Sequence, residues 1–306
     1  MFARNLSFLM RPSAIPPVVE YPSLCFEIGS DASGATPFSS ISGFDANDFV
    51  VKVNGQDTSM SIESISALAG DVIEIERRSN GSLFPSLAFA DTMNMVSKIL
   101  KPFPELDAGN LIDLFYNCSE LTSVCEDLMI NNPQITAVDY MFQNTGITTL
   151  PASTFRGCVN IVDMIKVFSG SGLKSLPAGI FDDLVSAETF EDCFYGCENL
   201  ESLPDGLFSK CSAVKNLKWT FQNCSSLTTV PRNIFVGCDA IEDVFRCFMG
   251  CESLTVGVEF TARNIGGADD FAWNTAEVGT VYVPAGSKTA STFSGAVDPY
   301  VNVVEI

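Results

Sequence analysis

The amino-acid sequence predicts an α/β repeat solenoid, with a parallel sheet and short helices, preceded by a small β domain. One set of phenylalanines recurs at intervals of 27, 26, 26, 27 and 27 residues: Phe115, Phe142, Phe168, Phe194, Phe221 and Phe248. A second apolar set lies 13 residues before each phenylalanine from Phe142 onward: Met129, Phe155, Phe181, Phe208 and Phe235. The segments ITTLP, LKSLP, LESLP and LTTVP lie between the two sets. This periodicity is typical of stacked repeats that bury one face against their neighbours.

Residues 1–23 predict an extended arm. They contain Pro12, Pro16, Pro17 and Pro22, and proline fixes φ and removes a backbone donor. We expect Pro12, Pro16 and Pro17 to attach the protein to other structural protein chains. The apolar run at 6–10 is shorter than the roughly 7–15 apolar residues of a signal peptide. The sequence therefore predicts synthesis and folding in a cytoplasm without classical export.

Residues 24–105 are predicted to form a small β-rich domain, followed by a segment that connects it to the repeats. The strand-like runs are LCFEI at 24–28, DFVVKV at 48–53 and DVIEIER at 71–77. Alternation of apolar and polar residues indicates half-buried strands, and the Asn54–Gly55 pair predicts a hairpin turn. The connection at 79–105 predicts a helix near 92–100 that ends before Pro102, because a residue before proline disfavours helical backbone.

Residues 106–260 are predicted to form the repeat solenoid, which we call the array. One unit cannot fold alone, since ordering a residue costs about 1.5 kcal/mol while a buried Phe or Leu returns about 1.5–3 kcal/mol. The four LxxLP-type segments predict one parallel sheet, and the stretches after each proline, with TFEDCFYGC and WTFQNC, predict short helical turns. Two repeats are 26 rather than 27 residues long, because the stretch between the repeat phenylalanine and the next aliphatic residue is one residue shorter. Each of these stretches contains a glycine, Gly146 or Gly172, and glycine permits a tighter turn.

The pattern MFxxC followed by LxxLP resembles the BspA-like leucine-rich repeats, the 26-residue variety of bacterial surface proteins, over about half of the chain. Residues 261–306 are predicted to form a C-terminal capping coil. Within them, GTVYVPAGSKTASTF at 279–293 resembles the terminal strand, tight turn and short helix that follow such arrays. The resemblance implies adhesion, surface recognition or virion decoration, and it brings no catalytic residue and no cofactor.

Charge and composition narrow the function classes. There are 17 basic and 37 acidic residues, a formal net charge of −20 and no histidine. Such a surface repels phosphate backbones and anionic lipid, so we expect neither a nucleic-acid nor a membrane partner. Without histidine the chain lacks the commonest general base and transition-metal ligand. We therefore expect a protein that is not an enzyme.

The eleven cysteines fall mostly in the array. At equivalent repeat positions the sequence carries Thr145, Ser171, Leu184 or Asn132 instead. Leucine cannot replace a metal ligand, and free cysteine packs as a small apolar residue. The sequence therefore predicts buried packing cysteines rather than a metal site or a disulfide framework.

Paired carboxylates and glycine–aspartate segments are the candidate chemical sites. The pairs are Asp182–Asp183, Glu191–Asp192 and Asp269–Asp270, and the segments are SDASG at 30–34 and GGADDF at 266–271. Nothing in the sequence places a carboxylate pair across a cleft, and neither segment has the ligand spacing of an EF-hand. We predict solvated surfaces here and assign no metal.

The candidate binding residues form two stripes. Hydroxyl-bearing positions of the LxxLP segments, among them Thr148 and Thr228, form a polar ladder that could face a protein or a glycan, or only solvent. Aromatic residues flank the repeat phenylalanine: Tyr116, Tyr140, Tyr195 and Trp219. Exposed aromatic residues are typical binding anchors, although burial between coils would explain them equally well.

Together these features predict a non-enzymatic structural and recognition protein. We expect a phage virion component, a head or tail fibre or decoration protein, made in the host cytoplasm and binding a host surface protein or glycan. We also expect a homo-oligomer or a part of a larger assembly. One alternative is a secreted or surface bacterial adhesin, located at the cell surface or outside the cell. Another is a carboxylate-dependent polysaccharide-processing enzyme, which needs two carboxyl groups about 5–10 Å apart across a cleft.

Overall fold

The structure is a computed structural model that describes residues 23–29, 49–58, 67–77, 84–85, 95–275, 277–295 and 301–306. The predicted attachment residues Pro12, Pro16 and Pro17 and the SDASG segment lie outside the described residues. Their predicted roles stay predictions.

The N-terminal domain contains a five-stranded antiparallel sheet. Its strands are β1 (Ser23–Ile28), β2 (Phe49–Val53), β3 (Gln56–Asp57), β4 (Val72–Arg77) and β6 (Val96–Ile99), in the order β3-β2-β4-β1-β6. A short parallel pair, β5 (Phe84–Pro85) with β7 (Leu106–Asp107), lies outside this sheet. The three predicted strands are confirmed. The hairpin turn between β2 and β3 is also confirmed, with φ of 51° at Asn54 and 76° at Gly55.

The helix predicted over 92–100 is wrong from residue 96, where β6 runs instead. This strand pairs with β1 on one side and forms a parallel bridge from Lys98 to Ser123 of the first coil on the other. The Thr122 amide donates to the Ser97 carbonyl at 2.9 Å across that junction. Tertiary pairing on both edges thus decides the local conformation, and it joins the sheet to the solenoid.

The core of the solenoid consists of two phenylalanine ladders, as the periodicity predicts. In the first, from Phe115 to Phe248, consecutive rings lie 5.6, 5.6, 5.3, 5.2 and 5.3 Å apart between centroids. The second ladder stacks Phe155, Phe181, Phe208, Phe235 and Phe260 at 4.8–6.2 Å. All of these rings are buried, so each coil depends on its neighbours for most of its apolar burial.

The short helices predicted within the repeats are wrong. In the described part of the chain the single helix is α1 (Lys288–Gly295), which is 8 residues long and cannot reach across a bilayer, for which about 20 residues are needed. The predicted helical stretches after the prolines are local turns, such as the one in which the Asp182 amide donates to Gly179 O at 3.1 Å. The segments around the repeat phenylalanine are tight turns in which alternate amides donate to the next coil. For example, the Phe168 amide donates to Cys193 O and the Phe194 amide to Thr220 O, both at 2.8 Å.

Two parallel ladders connect the coils. The predicted sheet of LxxLP-type segments appears as parallel bridges from Ser175 to Ser202 and from Ser202 to Thr229. A second ladder, which the sequence did not predict, is longer and links these residues in order: Asn110, Ala137, Asp163, Thr189, Asn216, Asp243 and Gly267. It lies between the two apolar positions that open each repeat, where the sequence shows no strand-like alternation.

The C-terminal segment continues the stack. Three parallel strands, β8 (Thr255–Glu259), β9 (Glu277–Val283) and β10 (Val301–Glu305), form a sheet in the order β10-β9-β8. The strand, turn and helix expected over 279–293 are present as β9, a turn at 285–286 and α1. Phe293 on α1 packs on Phe260 and Phe271, with 5.3 Å between centroids in each pair, and so closes the core.

Six ion pairs join neighbouring coils along the solenoid: Arg156–Asp127, Lys166–Asp192, Lys215–Glu188, Lys218–Asp243, Arg232–Glu259 and Arg246–Asp270, at 2.6–3.7 Å. Their side chains are partly exposed, so each pair contributes little alone, on the order of 0.2–1 kcal/mol. The arrangement ties many of the scarce cations to carboxylates of the adjacent coil. The acidic excess remains on the rest of the surface.

Candidate functional site

The candidate site is built on one face of the solenoid, which we call the turn face. It consists of equivalent six-residue segments at 112–117, 139–144, 165–170, 191–196, 218–223, 245–250 and 269–274. Two positions in each segment, four residues apart, have φ between 51° and 75°. A left-handed residue cannot continue a right-handed helix, which is why these segments form turns rather than helices.

The two left-handed columns differ sharply in composition. The outer column contains only asparagine and glycine: Asn117, Asn144, Gly170, Gly196, Asn223, Gly250 and Asn274. These are the residue types that tolerate a positive φ. The inner column contains Asp113, Tyr140, Lys166, Asp192, Trp219, Arg246 and Asp270. Aspartate tolerates this conformation almost as asparagine does. Tyr140, Lys166, Trp219 and Arg246 do not, and each costs about 1–2 kcal/mol there, so contacts of these four side chains must offset that cost.

Most inner-column side chains contact the adjacent coil. The Lys166 ammonium lies 5.9 Å from the centre of the Tyr140 ring and 3.7 Å from the Asp192 carboxylate. The Arg246 guanidinium pairs with Asp270 at 3.0 Å. Trp219 differs from its charged neighbours in the column, because its contact is apolar: its ring meets Phe245 edge to face, with centroids 5.8 Å apart.

The structure separates the four predicted aromatic residues into two columns. Tyr140 and Trp219 occupy the inner left-handed column and are half-buried, whereas Tyr116 and Tyr195 belong to the column just before the outer one. Tyr195 is 37% exposed, and its hydroxyl accepts a hydrogen bond from Asn223 Nδ2 at 3.4 Å. Their location on one face is compatible with binding, and the binding role itself stays a prediction.

Sequence reasoning missed two aromatic residues on this face. Phe245 packs against Trp219 and lies 4.7 Å below the Arg246 guanidinium. Trp273 is 40% exposed and occupies the same column as Tyr195. The turn face continues to residue 274, beyond the array boundary predicted at 260, so Trp273 belongs to a seventh copy. The Phe–Ala–Trp–Asn sequence at 271–274 was the available signal.

A depression adjoins the turn face beside the longer ladder of parallel bridges, where that ladder runs through Asn216, Asp243 and Gly267. We call it the lysine depression. It measures about 660 Å³ and is lined by Lys215, Asn216, Lys218, Glu242, Asp243, Asn264, Gly266, Gly267 and Lys288. Lys218 immediately precedes Trp219, and the Phe245 amide donates to Asp243 Oδ1 at 2.9 Å. The backbone that carries the Trp219–Phe245 pair thus adjoins the depression, although neither ring lines it.

The predicted polar ladder is partly occupied by structural hydrogen bonds. Thr148 and Thr228 are exposed, and the Thr228 hydroxyl donates to the Glu201 carbonyl at 3.2 Å. The Thr122 hydroxyl makes the equivalent bond to Ser97 O at 3.1 Å. These hydroxyls stabilise the pairing of the coils, and recognition through Thr148 and Thr228 stays a prediction.

Two carboxyl groups on the turn face have pKa values above the ordinary range, and burial is the main cause for both. Asp139 accepts a hydrogen bond from the Ile165 amide at 2.8 Å, while neighbouring Asp163 and Asp113 raise its pKa further. For Asp192, the adjacent Lys166 offsets part of the effect of burial on the pKa. Each group thus bonds to the next or preceding coil, which is a structural role. Within the described ranges, no cluster of three or more Asp, Glu or Cys side chains could hold a metal ion.

The described cysteines are all free thiols, and many donate to a phenylalanine carbonyl of the preceding coil. Cys197 Sγ bonds to Phe168 O at 3.0 Å, Cys224 to Phe194 O at 3.2 Å and Cys251 to Phe221 O at 3.1 Å. Burial raises the pKa of Cys197 to about 11. At the equivalent positions the Thr145 hydroxyl donates to Phe142 O of its own coil at 2.9 Å, and Ser171 Oγ lies 3.5 Å from Cys197 Sγ. The column thus combines small side chains with hydrogen bonding, although the acceptor differs between the residue types.

No family model and no curated protein sequence matches the chain. Among solved structures, a chain of the Drosophila Toll–Spatzle complex is 12% identical with a TM-score of 0.21, and the match covers 71% of this chain and 38% of that one. A leucine-rich repeat protein from Bacteroides ovatus is 17% identical with a TM-score of 0.21, over 67% of this chain and 77% of that one. A chain of the TLR13–ssRNA13 complex is 11% identical with a TM-score of 0.22, over 73% and 42%.

These neighbours are leucine-rich repeat proteins, and none of them singles out the BspA-like class. This chain spans less than half the length of the Toll-complex chain and of the TLR13-complex chain. The stacked coils, phenylalanine ladders and parallel bridges described above are the basis for describing this chain as a repeat solenoid.

Proposed function

We propose that the protein is a non-enzymatic recognition protein whose turn face binds a protein or glycan at a cell surface. The observation that carries the proposal is the inner left-handed column. Four of its seven residues, Tyr140, Lys166, Trp219 and Arg246, retain bulky side chains where the backbone favours glycine, asparagine or aspartate, and the outer column shows that the fold accepts glycine and asparagine at the same φ. Backbone strain of this kind is retained where side chains serve a function.

The aromatic residues of the turn face support a binding role. Trp219 and Phe245 form a half-buried pair, and Tyr195 and Trp273 expose 37% and 40% of their surface on the same face. Tryptophan and tyrosine dominate the energetics of protein interfaces because they bury a large area with few rotatable bonds. A rigid stacked backbone holds them in fixed positions, which lowers the entropy cost of binding.

The test is retention of the fluorescently labelled full chain on intact bacterial cells. We expect Trp219→Ala and Tyr195→Ala to reduce retention at least tenfold, since interface aromatic residues often contribute 2 kcal/mol or more. Val185→Ala is the matched control, because Val185 is 45% exposed but lies outside the turn face. Equal retention of all three variants would contradict a recognition role for this face.

A finer proposal is that the protein is a phage fibre or decoration component attached through residues 1–23. It is supported by the BspA-like resemblance of the repeats and the strong acidity, which also suit a bacterial adhesin. Deletion of residues 1–23 should release the protein from purified phage particles while leaving the far-UV spectrum of the solenoid unchanged. Retention of the deleted form on the particle would contradict attachment through the arm, and absence of the full-length protein from all particles would favour the adhesin.

A further inference from the structure

We propose that the lysine depression binds the carboxylate of an acidic sugar, with the neighbouring Trp219–Phe245 pair contacting the sugar ring. The inference rests on the proposed recognition function and specifies its ligand class. It concerns residues that the sequence does not bring together, since Lys215 and Lys218 belong to the fifth coil and Lys288 begins α1.

The depression is richer in cations than the molecule as a whole. Three lysines line it against two carboxylates, whereas the whole chain has 17 basic and 37 acidic residues. Lys218 pairs with Asp243 at 3.1 Å and Lys215 with Glu188 at 2.7 Å. Among the described residues no carboxylate lies within 4.0 Å of the Lys288 ammonium. This exposed cation is therefore available to an anionic ligand.

Glycines create the space for these charged groups. A Cβ on Gly266 would lie 2.9 Å from Lys288 Nζ, and a Cβ on Gly267 would overlap the Asp243 carboxylate. The backbone that forms the floor of the depression is fixed along the longer ladder of parallel bridges. There the Gly266 amide donates to Glu242 O at 2.7 Å, and the Glu242 amide donates to Lys215 O at 2.8 Å. A rigid floor that admits the ammonium group is what a pre-organised site needs.

The mixed lining favours a sugar over an acidic protein segment. A sugar acid has one carboxylate per ring for Lys288, while its hydroxyl groups can donate to Glu242 and Asp243. A run of acidic side chains would instead meet these two carboxylates with like charge. Trp219, which directly follows Lys218 in the chain, offers an aromatic ring for the apolar contact that a sugar ring requires.

Calorimetric titration of the full chain tests the proposal with four sugar probes and one acidic peptide, tetraglutamate. Tetragalacturonate and sialyllactose supply the carboxylate from a uronic or a sialic acid, and fully methyl-esterified tetragalacturonate and lactose are their neutral counterparts. We expect at least one acidic probe to bind at least tenfold more tightly than its neutral counterpart, because a hydrogen bond to a charged group is worth about one order of magnitude or more in affinity. Which acidic probe binds identifies the source of the carboxylate.

Variants locate the binding. Lys288→Ala should weaken the affinity about tenfold, and Gly266→Ala should also weaken it by displacing the ammonium without removing its charge. Lys174→Ala, an equal charge change on the LxxLP-type segments, should leave the affinity within about twofold. Equal binding of acidic and neutral probes, equal effects of Lys288→Ala and Lys174→Ala, or no binding of any probe would overturn the proposal. Tighter binding of tetraglutamate than of either sugar would replace the glycan by an acidic protein segment, while a loss of cell retention in Trp219→Ala would still support recognition by the turn face.

Discussion

Replacing Trp219 by glycine and by alanine separates the two features that make this residue unusual. Its φ is 53°, and its half-buried ring meets Phe245 edge to face at 5.8 Å. Both substitutions remove the ring contact, which is worth about 0.5–1.5 kcal/mol. Only glycine also removes the cost of the left-handed conformation, about 1–2 kcal/mol.

These energies predict that the glycine variant is more stable than the alanine variant at position 219, the reverse of the usual order. Trp219→Ala should lose on the order of 1 kcal/mol of unfolding free energy, because the strain remains. Trp219→Gly should be more stable than Trp219→Ala by about 1 kcal/mol. Elsewhere glycine is the less stable of the two by about 0.5–1 kcal/mol, and we expect that ordinary order for the adjacent Lys218→Gly and Lys218→Ala, since Lys218 is not among the left-handed residues.

Urea and thermal unfolding of the four variants, followed by far-UV circular dichroism, provide the assay. A difference of 1 kcal/mol should shift the melting temperature by roughly 2–4 °C. If Trp219→Gly is less stable than Trp219→Ala, the backbone at this position is not left-handed and the strain argument fails. If Trp219→Ala loses more than about 3 kcal/mol, the range of buried aromatic truncations, Trp219 belongs to the core and its proposed binding role fails.

Three further predictions concern the solenoid and the N-terminal sheet. Gly146→Ala should destabilise the fold by more than about 2 kcal/mol in urea unfolding, since its Cβ would overlap the Ser119 carbonyl, whereas Gly109→Ala meets nothing within 4 Å and should be nearly neutral. Cys224→Ala should lose about 1 kcal/mol because it removes one of the two hydrogen bonds to the Phe194 carbonyl, which keeps the Cys197 amide as a donor, and Cys224→Ser should retain most of that stability. Below about pH 4 the amides of the N-terminal sheet should have lower protection factors, that is, faster exchange relative to the intrinsic rate at the same pH, because the hydrogen bond from Lys98 lowers the pKa of Glu27 and the stability it contributes above its unfolded pKa is lost on protonation.

Each of these has an outcome that contradicts it. Equal stability of Gly146→Ala and Gly109→Ala would show that the shorter coil does not need its glycine. A Cys224→Ser variant as unstable as Cys224→Ala would mean that the thiol acts through packing alone. Protection factors in β1 that do not change between pH 7 and pH 3 would show that the Glu27–Lys98 pair contributes nothing to the sheet.

The periodic parts of the fold could be predicted because burial must repeat with the coil. The positions from Phe115 to Phe248 stack as predicted, and so do the second-set phenylalanines from Phe155 onward. The strands β1, β2 and β4 follow from the alternation of apolar and polar residues, which requires only that one face of the sheet is buried. Local pattern was also sufficient for the Asn54–Gly55 turn.

The candidate site was only partly accessible to such reasoning. Tyr195 and Trp219 were recognisable as aromatic residues flanking a repeat position, but their burial and columns depend on the packing of adjacent coils. Lys288 and Lys215 are far apart in sequence, and only the stacking of α1 against the last coils brings both to one depression.

The sequence by itself determined the repeat, the two phenylalanine ladders and the acidic surface of this protein, because each is a property of residue type and spacing. Only the tertiary structure decided between helix and turn at segments such as TFEDCFYGC. There the backbone amides can bond within the segment or to the next coil, and stacking favours the second choice. That choice places Asp192 and Gly196 in the left-handed region, and in the neighbouring coils it sets the positions of Trp219 and Lys218 at the candidate site.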